Sequence, residues 1–153
     1  MKILIISFGK KHDPSLASLI DDFTMRTSRW VSLEWKIIPA SKDEGERGRV
    51  EESDAVLRII KETDTCIMLD ERGRRMNTDI FSQYLSRMMS AGEQRLVFVI
   101  GGSHGLHPQA LDRADLVLSL SDMTLPHHIV RLMLVEQIYR GLSIIAGSRY
   151  HHA

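Results

Sequence analysis

Residues 101–128 contain the polar and glycine-rich positions with the clearest chemical potential. Residues 101–105 read Gly-Gly-Ser-His-Gly and match G-x-S-x-G, in which a serine nucleophile lies on a sharp strand-to-helix turn. Candidate acid and base partners follow in the chain order of that hydrolase class: Asp112, Asp115, His127 and His128. A small serine hydrolase using Ser103 is therefore one hypothesis. Against it, a helix must start directly after the serine, and Pro108 comes too late for that first turn.

The same glycines have two other interpretations. They permit a tight turn, and they allow the backbone to approach a ligand closely because they carry no Cβ. Neither G-x-G-x-x-G nor G-x-x-x-x-G-K-[ST] occurs in the chain, so the common dinucleotide-binding and P-loop geometries are disfavoured. A nucleotide-like ligand would have to be held by loops of another kind.

The histidines are concentrated in the second half of the chain, but their spacing does not suit a metal ion. His127 and His128 are adjacent, so on a helix their side chains point about 100° apart. No H-x-x-x-H motif is present and Cys66 is the only cysteine, so we expect no metal site. His127 follows Pro126 at a predicted helix start, where the helix dipole lowers an imidazole pKa. It is either a proton acceptor or simply a capping or surface residue.

Basic residues follow two of the predicted strands and recur in the last predicted helix. Such residues contact phosphates in nucleic-acid-binding proteins, or they belong to solvated loops and surface ion pairs. The same two interpretations apply to Arg131 and Arg140, and Arg140 has Glu136 four residues before it. The remaining basic residues lie after the first and third predicted strands: Lys10, Lys11, Arg72, Arg74 and Arg75.

Composition limits the class of protein. The 153 residues include 20 Lys+Arg and 20 Asp+Glu, so no global charge attracts nucleic acid or an anionic membrane. With 43% hydrophobic residues, the chain can form a core without disulfides. We expect a single domain over residues 1–153, with no signal peptide or membrane span. The lone cysteine fits a cytoplasmic location.

Hydrophobic periodicity predicts strands that alternate with helices. The predicted strands are residues 2–7, 31–38, 65–69, 96–100 and 116–120. Helices are predicted after an Asp13-Pro14 cap, over 53–61, after a cap at Asn77 or Thr78, over 108–114 and over 129–145. Residues 42–52 are predicted to be a solvated loop and helix start. This order is typical of an α/β fold with a mostly parallel sheet flanked by helices.

Ligands of such sheets bind beyond the carboxyl ends of the strands. Three predicted loops begin there, at residues 69–71, 101–105 and 121–126. If their strands are neighbours, the loops form one pocket. The last predicted helix is apolar over far more than one stripe, which indicates burial on more than one side and hence a dimer interface as well as a core face.

Several segments in fixed order resemble the RlmH (YbeA-like) family of SPOUT-class ribosomal RNA methyltransferases. The resemblance covers essentially the whole chain and is most specific in its second half. The segments are Phe98-Val99-Ile100-Gly101-Gly102, Gly105-Leu106, Leu118-Ser119-Leu120-Ser121, Met123-Thr124-Leu125-Pro126-His127, Arg131, Glu136-Gln137-Ile138-Tyr139-Arg140, Gly147 and Tyr150-His151. Ser103-His104 and Arg149 depart from the family pattern.

The resemblance implies an α/β domain with a C-terminal trefoil knot, a homodimer, and methylation at N3 of a pseudouridine in 23S rRNA of the assembled ribosome. It implies S-adenosyl-L-methionine in the knot, surrounded by Leu69, Gly101, Leu120, Ser121, Asp122, Met123, Thr124 and Leu125. It suggests His127 and Tyr150 as base or oxyanion stabiliser, with Arg140 or Arg131 orienting phosphate or a glutamate. A ribosome-binding module without turnover is the alternative from another class.

Overall fold

The computed structural model describes residues 1–151 and contains a five-stranded, fully parallel sheet flanked by helices. The strands are β1 (Lys2–Phe8), β2 (Ser32–Ile38), β3 (Thr65–Arg75), β4 (Arg95–Ile100) and β5 (Leu116–Ser119), in the spatial order β2-β1-β4-β3-β5. The helices are α1 (Pro14–Thr27), α2 (Gly45–Leu57), α3 (Thr78–Ser90), α4 (Pro108–Asp112) and α5 (His127–Ile145). The predicted α/β fold class is confirmed.

Helices cover both faces of the sheet. Helices α1, α3 and α5 pack on one face, where Ile20, Leu85 and Ile138 join a core with Phe98 of β4. Helices α2 and α4 cover the other face, over a second cluster that includes Val56. Burial on both sides explains why β4 has an almost uninterrupted apolar sequence.

The predicted helix starts are confirmed where a side chain satisfies a free backbone N–H. Asp13 caps α1 by accepting a 2.8 Å hydrogen bond from the Ser15 N–H, and Pro14 follows at the first helical position. Asn77, rather than Thr78, caps α3 by accepting a 2.8 Å hydrogen bond from the Ile80 N–H.

The bounds predicted for the helix within residues 42–61 were wrong. Helix α2 begins at Gly45 and ends at Leu57, so most of the predicted charged loop is helical and the predicted end at Lys61 is not. Charged residues with good helix propensity occupy the exposed face of α2, while Ser53 and Val56 lie on the buried face of the same helix. The chain then turns, and the Asp64 carboxylate accepts a hydrogen bond from the Lys61 N–H.

The arginines expected in a loop after the third strand lie within β3 instead. Arg74 and Arg75 pair with Leu118 and Ser119 of β5, so backbone pairing extends β3 while the charged side chains stay exposed. Leu118 is also in register with Leu69. The chain between Leu69 and Arg74 therefore leaves the line of the strand and returns to β5.

Gly73 lies where this excursion passes closest to β5. A Cβ at position 73 would lie 2.8 Å from the backbone carbonyl carbons of Val117 and Leu118. Neither backbone atom can move aside as a flexible side chain would. The close passage of the two segments therefore requires glycine at this position.

Candidate cofactor-binding and active site

Strands β4, β3 and β5 are neighbours in the sheet, and the irregular part of β3 after Leu69, together with the loops that follow β4 and β5, encloses a cavity of about 730 Å³. Residues 69–72 and 100–105 form two of its walls. The segment from Leu120 to His127, together with Leu118 and Val130, forms most of the third. The prediction that these three segments share one pocket is confirmed, but residues 69–71 lie within β3, where the pairing with β5 is irregular, and not in a loop after the strand. The volume lies in the range of small-molecule and cofactor sites.

Most of the predicted cofactor residues line this cavity. They are Leu69, Gly101, Leu120, Ser121, Met123, Thr124 and Leu125. Asp122 is not among the lining residues, because its carboxylate turns to the Arg75 guanidinium at 2.6 Å and its side chain is 69% exposed. Their role in binding a cofactor stays a prediction.

The glycine loop after β4 is folded tightly on itself. The Gly105 N–H donates a 3.0 Å hydrogen bond to the Gly102 carbonyl, and Gly105 has φ +74°, which favours glycine. A Cβ at Gly101 would lie 3.1 Å from the carbonyl carbon of Gly105. The loop therefore presents backbone rather than side chains to the cavity at this point.

Helix α2 supports this loop from outside the cavity. Arg49 donates a 2.9 Å hydrogen bond to the Leu106 carbonyl, and the Ser53 hydroxyl accepts one of 3.1 Å from the His107 N–H. Glu46 lies 3.0 Å from Nε2 of His107. The sequence did not indicate these contacts, because α2 and the loop are about 50 residues apart in the chain.

The loop between β5 and α5 is fastened to the end of β3. The Thr124 hydroxyl donates a 2.9 Å hydrogen bond to the Glu71 carboxylate. Arg72 lies beside the nearly buried carboxyl group of Asp70, and its hydrogen bond holds the pKa of that group below its usual value. Two carboxylates thus lie at the rim of the cavity.

His127 is the predicted catalytic residue that the structure places at the cavity. It is the first residue of α5, and Pro126 provides no side-chain cap above it. Burial lowers the pKa of His127, and the positive charges of Arg131 and His128 lower it further. A neutral imidazole at this position can accept a proton near neutral pH.

Arg140 and Tyr150 lie near the other end of α5. Their shared partner is Glu136, whose carboxylate accepts hydrogen bonds from Arg140 at 2.6 and 2.8 Å and from the Tyr150 hydroxyl at 3.2 Å. The Arg140 guanidinium also lies 4.7 Å from the Tyr150 ring centroid. A helix rises 1.5 Å per residue, so Arg140 is about 20 Å along the axis from His127. One chain does not bring the three predicted catalytic residues together.

Other residues were missed or misassigned from the sequence. Ile100, Leu118 and Val130 line the cavity, and the positions of Ile100 and Leu118 near strand ends could have indicated this. Arg131 was expected to orient a phosphate or a glutamate, but it is 1% exposed and donates to β1 and the turn after it. No spacing rule signals a buried arginine.

The hydrolase hypothesis finds no support in the geometry. Ser103 is exposed, and α4 begins only at Pro108. The helix that would have to start directly after the nucleophile is therefore missing from this position.

The described residues contain neither a metal-binding cluster nor a membrane-spanning helix. In residues 1–151, no three His, Cys, Asp or Glu side chains come together in a way that could hold a metal ion. Within the same part of the chain, no helix combines the length and apolar character needed to cross a membrane.

A parallel α/β sheet with a cofactor-sized cavity at the carboxyl ends of three adjacent strands defines a ligand-binding α/β protein. The family model described as "Predicted SPOUT methyltransferase" matches residues 1–151. The chain belongs to this family, and the predicted resemblance is confirmed.

Similar proteins agree with this assignment. Proteins named "Ribosomal RNA large subunit methyltransferase H" from Flavobacterium johnsoniae, Christiangramia forsetii and Bacteroides thetaiotaomicron are 38%, 35% and 33% identical to this chain. Each alignment covers 99% of both sequences. A solved structure of a probable methylase family protein from Haemophilus influenzae Rd KW20 has a TM-score of 0.55 at 10% identity, covering 99% of this chain and 70% of that one. That likeness concerns the fold alone.

Proposed function

We propose that this protein transfers a methyl group from S-adenosyl-L-methionine to N3 of a pseudouridine in 23S rRNA, with the ribosome as substrate and the cytoplasm as its location. The observation that carries the proposal is the cavity formed by the three strand-end loops, in a chain of the SPOUT methyltransferase family. The names of the similar proteins support ribosomal RNA as the substrate.

The cavity suits S-adenosyl-L-methionine in size and chemistry. Apolar side chains such as Leu69, Leu120 and Leu125 offer surfaces for an adenine ring. Gly101 leaves backbone accessible, and Ser121 and Thr124 provide hydroxyl groups. When bound, the cofactor supplies a methyl group on a positively charged sulfur. In this proposal, those residues and Met123 hold it, and Asp122 acts indirectly by fixing the loop to Arg75.

The acceptor nitrogen has to lose its proton before it can attack the methyl group. Among the groups that line the cavity, we assign this proton to His127, because it lies at the start of α5 and its lowered pKa favours the neutral imidazole. Positioning two reactants in one site accounts for a large part of the rate in such transfers. Besides accepting the proton, the protein is therefore proposed to hold the target nucleotide next to the bound cofactor.

A homodimer would reunite the residues that one chain separates. Arg140 lies about 20 Å from His127 along α5, and Tyr150 shares its partner Glu136. In this proposal both residues therefore act at the cavity of a second copy. Several large apolar side chains are exposed near α5 and on α1, as expected of an interface: Met123 is 75% exposed, Met25 66% and Leu19 48%. The apolar character of α5 on more than one side is not itself evidence for the dimer, because within one chain α5 already packs against α1, α3 and the sheet.

The predicted trefoil knot is part of the same proposal. It is supported by the match of residues 1–151 to the SPOUT methyltransferase family. We also propose that residues 1–153 form one domain.

The test is incubation of the protein with isotope-labelled S-adenosyl-L-methionine and ribosomes that lack the modification, followed by mass spectrometry of the nucleosides. We expect label in N3-methylpseudouridine from 23S rRNA. Fully modified ribosomes serve as the substrate control, and the Ser103→Ala variant should retain activity. Ribosome binding without label in any nucleoside would contradict the proposal and indicate the non-catalytic alternative.

A further inference from the structure

Arg131 is buried, with 1% of its surface exposed, on the second turn of α5. Its guanidinium donates hydrogen bonds to the Ser7 hydroxyl at 2.8 Å, the Phe8 carbonyl at 2.7 Å and the Lys10 carbonyl at 3.1 Å. All three acceptors are uncharged. In the described part of the chain, no carboxylate forms an ion pair with this guanidinium.

A charge in this position is not explained by packing. Burial of a charge without an opposite partner is unfavourable, and apolar side chains of similar volume often serve a core equally well. The burial itself lowers the pKa of Arg131. The residue therefore has a role that a methionine or leucine would not provide.

The three hydrogen bonds attach the end of β1 and the following turn to the first turns of α5. Gly9 of that turn lies beside the outer edge of the His127 ring. At Gly9, which has φ +104°, a Cβ would lie 3.9 Å from the His127 Nε2 atom. The hydrogen bonds of Arg131 thus fix the backbone that lies next to the His127 imidazole.

Several titratable and charged groups surround this turn. Lys10, Lys11 and His12 lie on the turn, and His127 and His128 lie on α5. The carboxylates on this side are those of Asp13, the N-cap of α1, and Asp21, in the middle of α1: His128 acts on Asp13, and Asp21 acts on His12. Neither is among the groups that shift the pKa of His127. Arg131 is the common positive neighbour of His12 and His127.

We propose that Arg131 is a positioning residue: it holds residues 8–10 against the first turn of α5, and so orients the His127 imidazole toward the cavity as the proton acceptor. This inference rests on the proposed methyl transfer. The positive charge of Arg131 also favours the neutral form of His127, which is the form that accepts a proton.

The test compares Arg131→Met and Arg131→Lys with a matched control, Leu134→Ala. Leu134 is fully buried in the apolar core on the same helix, so its variant loses stability without removing a hydrogen bond to the turn. The His127 imidazole is followed by NMR titration of the protein without substrate, and its signal is assigned by comparison with His127→Gln. Turnover on unmodified ribosomes is measured across pH with the same variants.

We expect Arg131→Met to raise the His127 pKa, to move the acid limb of the kcat profile to higher pH, and to lower kcat by about 10²-fold while KM for the cofactor stays unchanged. Arg131→Lys keeps the charge but not the fork of donors. In this variant, the His127 pKa should stay low while kcat still falls. Leu134→Ala should lower the thermal midpoint and leave both pH readouts as in the wild type.

Two results would overturn the inference. One is an unchanged His127 titration in Arg131→Met with an unchanged acid limb. The other is an equal shift in Leu134→Ala, which would make the effect one of general stability. If Arg131→Met does not fold, an Arg131→Lys variant with wild-type kcat contradicts the proposal. The titration needs no substrate, so a wild-type protein without methyltransferase activity would refute the proposed function and leave the titration result readable.

Discussion

The two ends of α5 are built differently. At its start, the cavity is made of loops from three adjacent strands, and much of its wall is glycine backbone and apolar side chain. At its far end, the cluster of Glu136, Arg140 and Tyr150 is made of polar side chains that bond to one another. The first end is shaped to hold a ligand within one chain. The second is a network of polar side chains, and in the proposal above it acts at the cavity of a second copy.

The largest expected effect is at the cavity end. Gly101→Val places a branched side chain at a position where even a Cβ would lie only 3.1–3.2 Å from atoms of residues 105 and 106. We expect the affinity for S-adenosyl-L-methionine to fall by about 100-fold, or about 2.7 kcal/mol. Calorimetric titration measures this directly. Gln109→Ala, on the exposed side of α4, is the control and should bind as the wild type does; unchanged affinity in Gly101→Val would show that the ligand binds elsewhere.

The far end should affect transfer and not binding. Tyr150→Phe removes the hydroxyl that donates to Glu136 at 3.2 Å and keeps the ring that makes an edge-to-face contact with Tyr139. We expect kcat on ribosomes to fall by about 10²-fold, the lower end of the range for acid–base groups. Cofactor affinity should stay within about twofold of the wild type, because Tyr150 is proposed to act on the nucleotide and is not among the residues proposed to hold the cofactor. A matching loss of affinity would mean that Tyr150 helps to bind the cofactor.

Mixing two inactive variants tests whether the two ends meet across a dimer. His127→Ala is altered at the cavity and Tyr150→Phe at the cluster. In a mixture formed by co-expression, heterodimers contain one site with both wild-type groups, so we expect about a quarter of wild-type activity. If each cluster served its own cavity, the mixture would be no more active than the separate variants.

Replacing one glycine near each end of α5 should reduce the free energy of unfolding by different amounts. Gly73→Ala forces a Cβ to within 2.8 Å of the β5 backbone, and we expect the free energy of unfolding to fall by about 1–3 kcal/mol. Gly147, after the end of α5, has φ +67° and open space around it. Gly147→Ala therefore introduces only backbone strain of about 1 kcal/mol. Urea unfolding of both variants measures the difference, and an equal or smaller loss in Gly73→Ala would contradict the close passage.

The smallest expected effects concern pH and have opposite directions at the two ends. The pKa of His127 is lowered in the folded protein, chiefly by burial. Its contribution to stability is present above the unfolded value of 6.5 and is lost as the pH falls through the lowered folded value. Burial, with the charge of Glu136, raises the pKa of Tyr150. That contribution is present below about 10.0 and is lost as the pH rises further.

Thermal midpoints across the pH range test this contrast. His127→Gln should flatten the acid-side decrease, and Tyr150→Phe should flatten the alkaline-side decrease. Each variant serves as the control for the other. A variant that changes both sides equally would show that its effect is not due to titration of the substituted group.

The sequence predicted the cavity better than it predicted the cluster. Runs such as residues 96–100 indicate buried parallel strands, and the rule that ligands bind beyond strand ends then selects Leu69, Gly101 and the segment before α5. That rule depends on local pattern and fold class only. The positions of Arg74 and Arg75 within β3 depend on pairing with β5, about 45 residues away, and no local pattern encodes this.

The same reasoning explains why Arg131 and Arg140 were interpreted alike. Both are arginines on one helix, and their sequence neighbours do not reveal that one is buried behind His127 and the other lies on the outer part of the helix. The extent of α2 was missed for a related reason. Its charged residues are compatible with loop or helix, and contacts with the 101–107 loop decide between them.

A crystal structure of the protein with S-adenosyl-L-methionine is the decisive test of where the cofactor binds. We expect electron density for the ligand in the cavity between residues 69–72, 100–105 and 118–127, with its methyl group facing His127. Density at any other surface, or a ligand that leaves these loops uncontacted, would contradict this expectation.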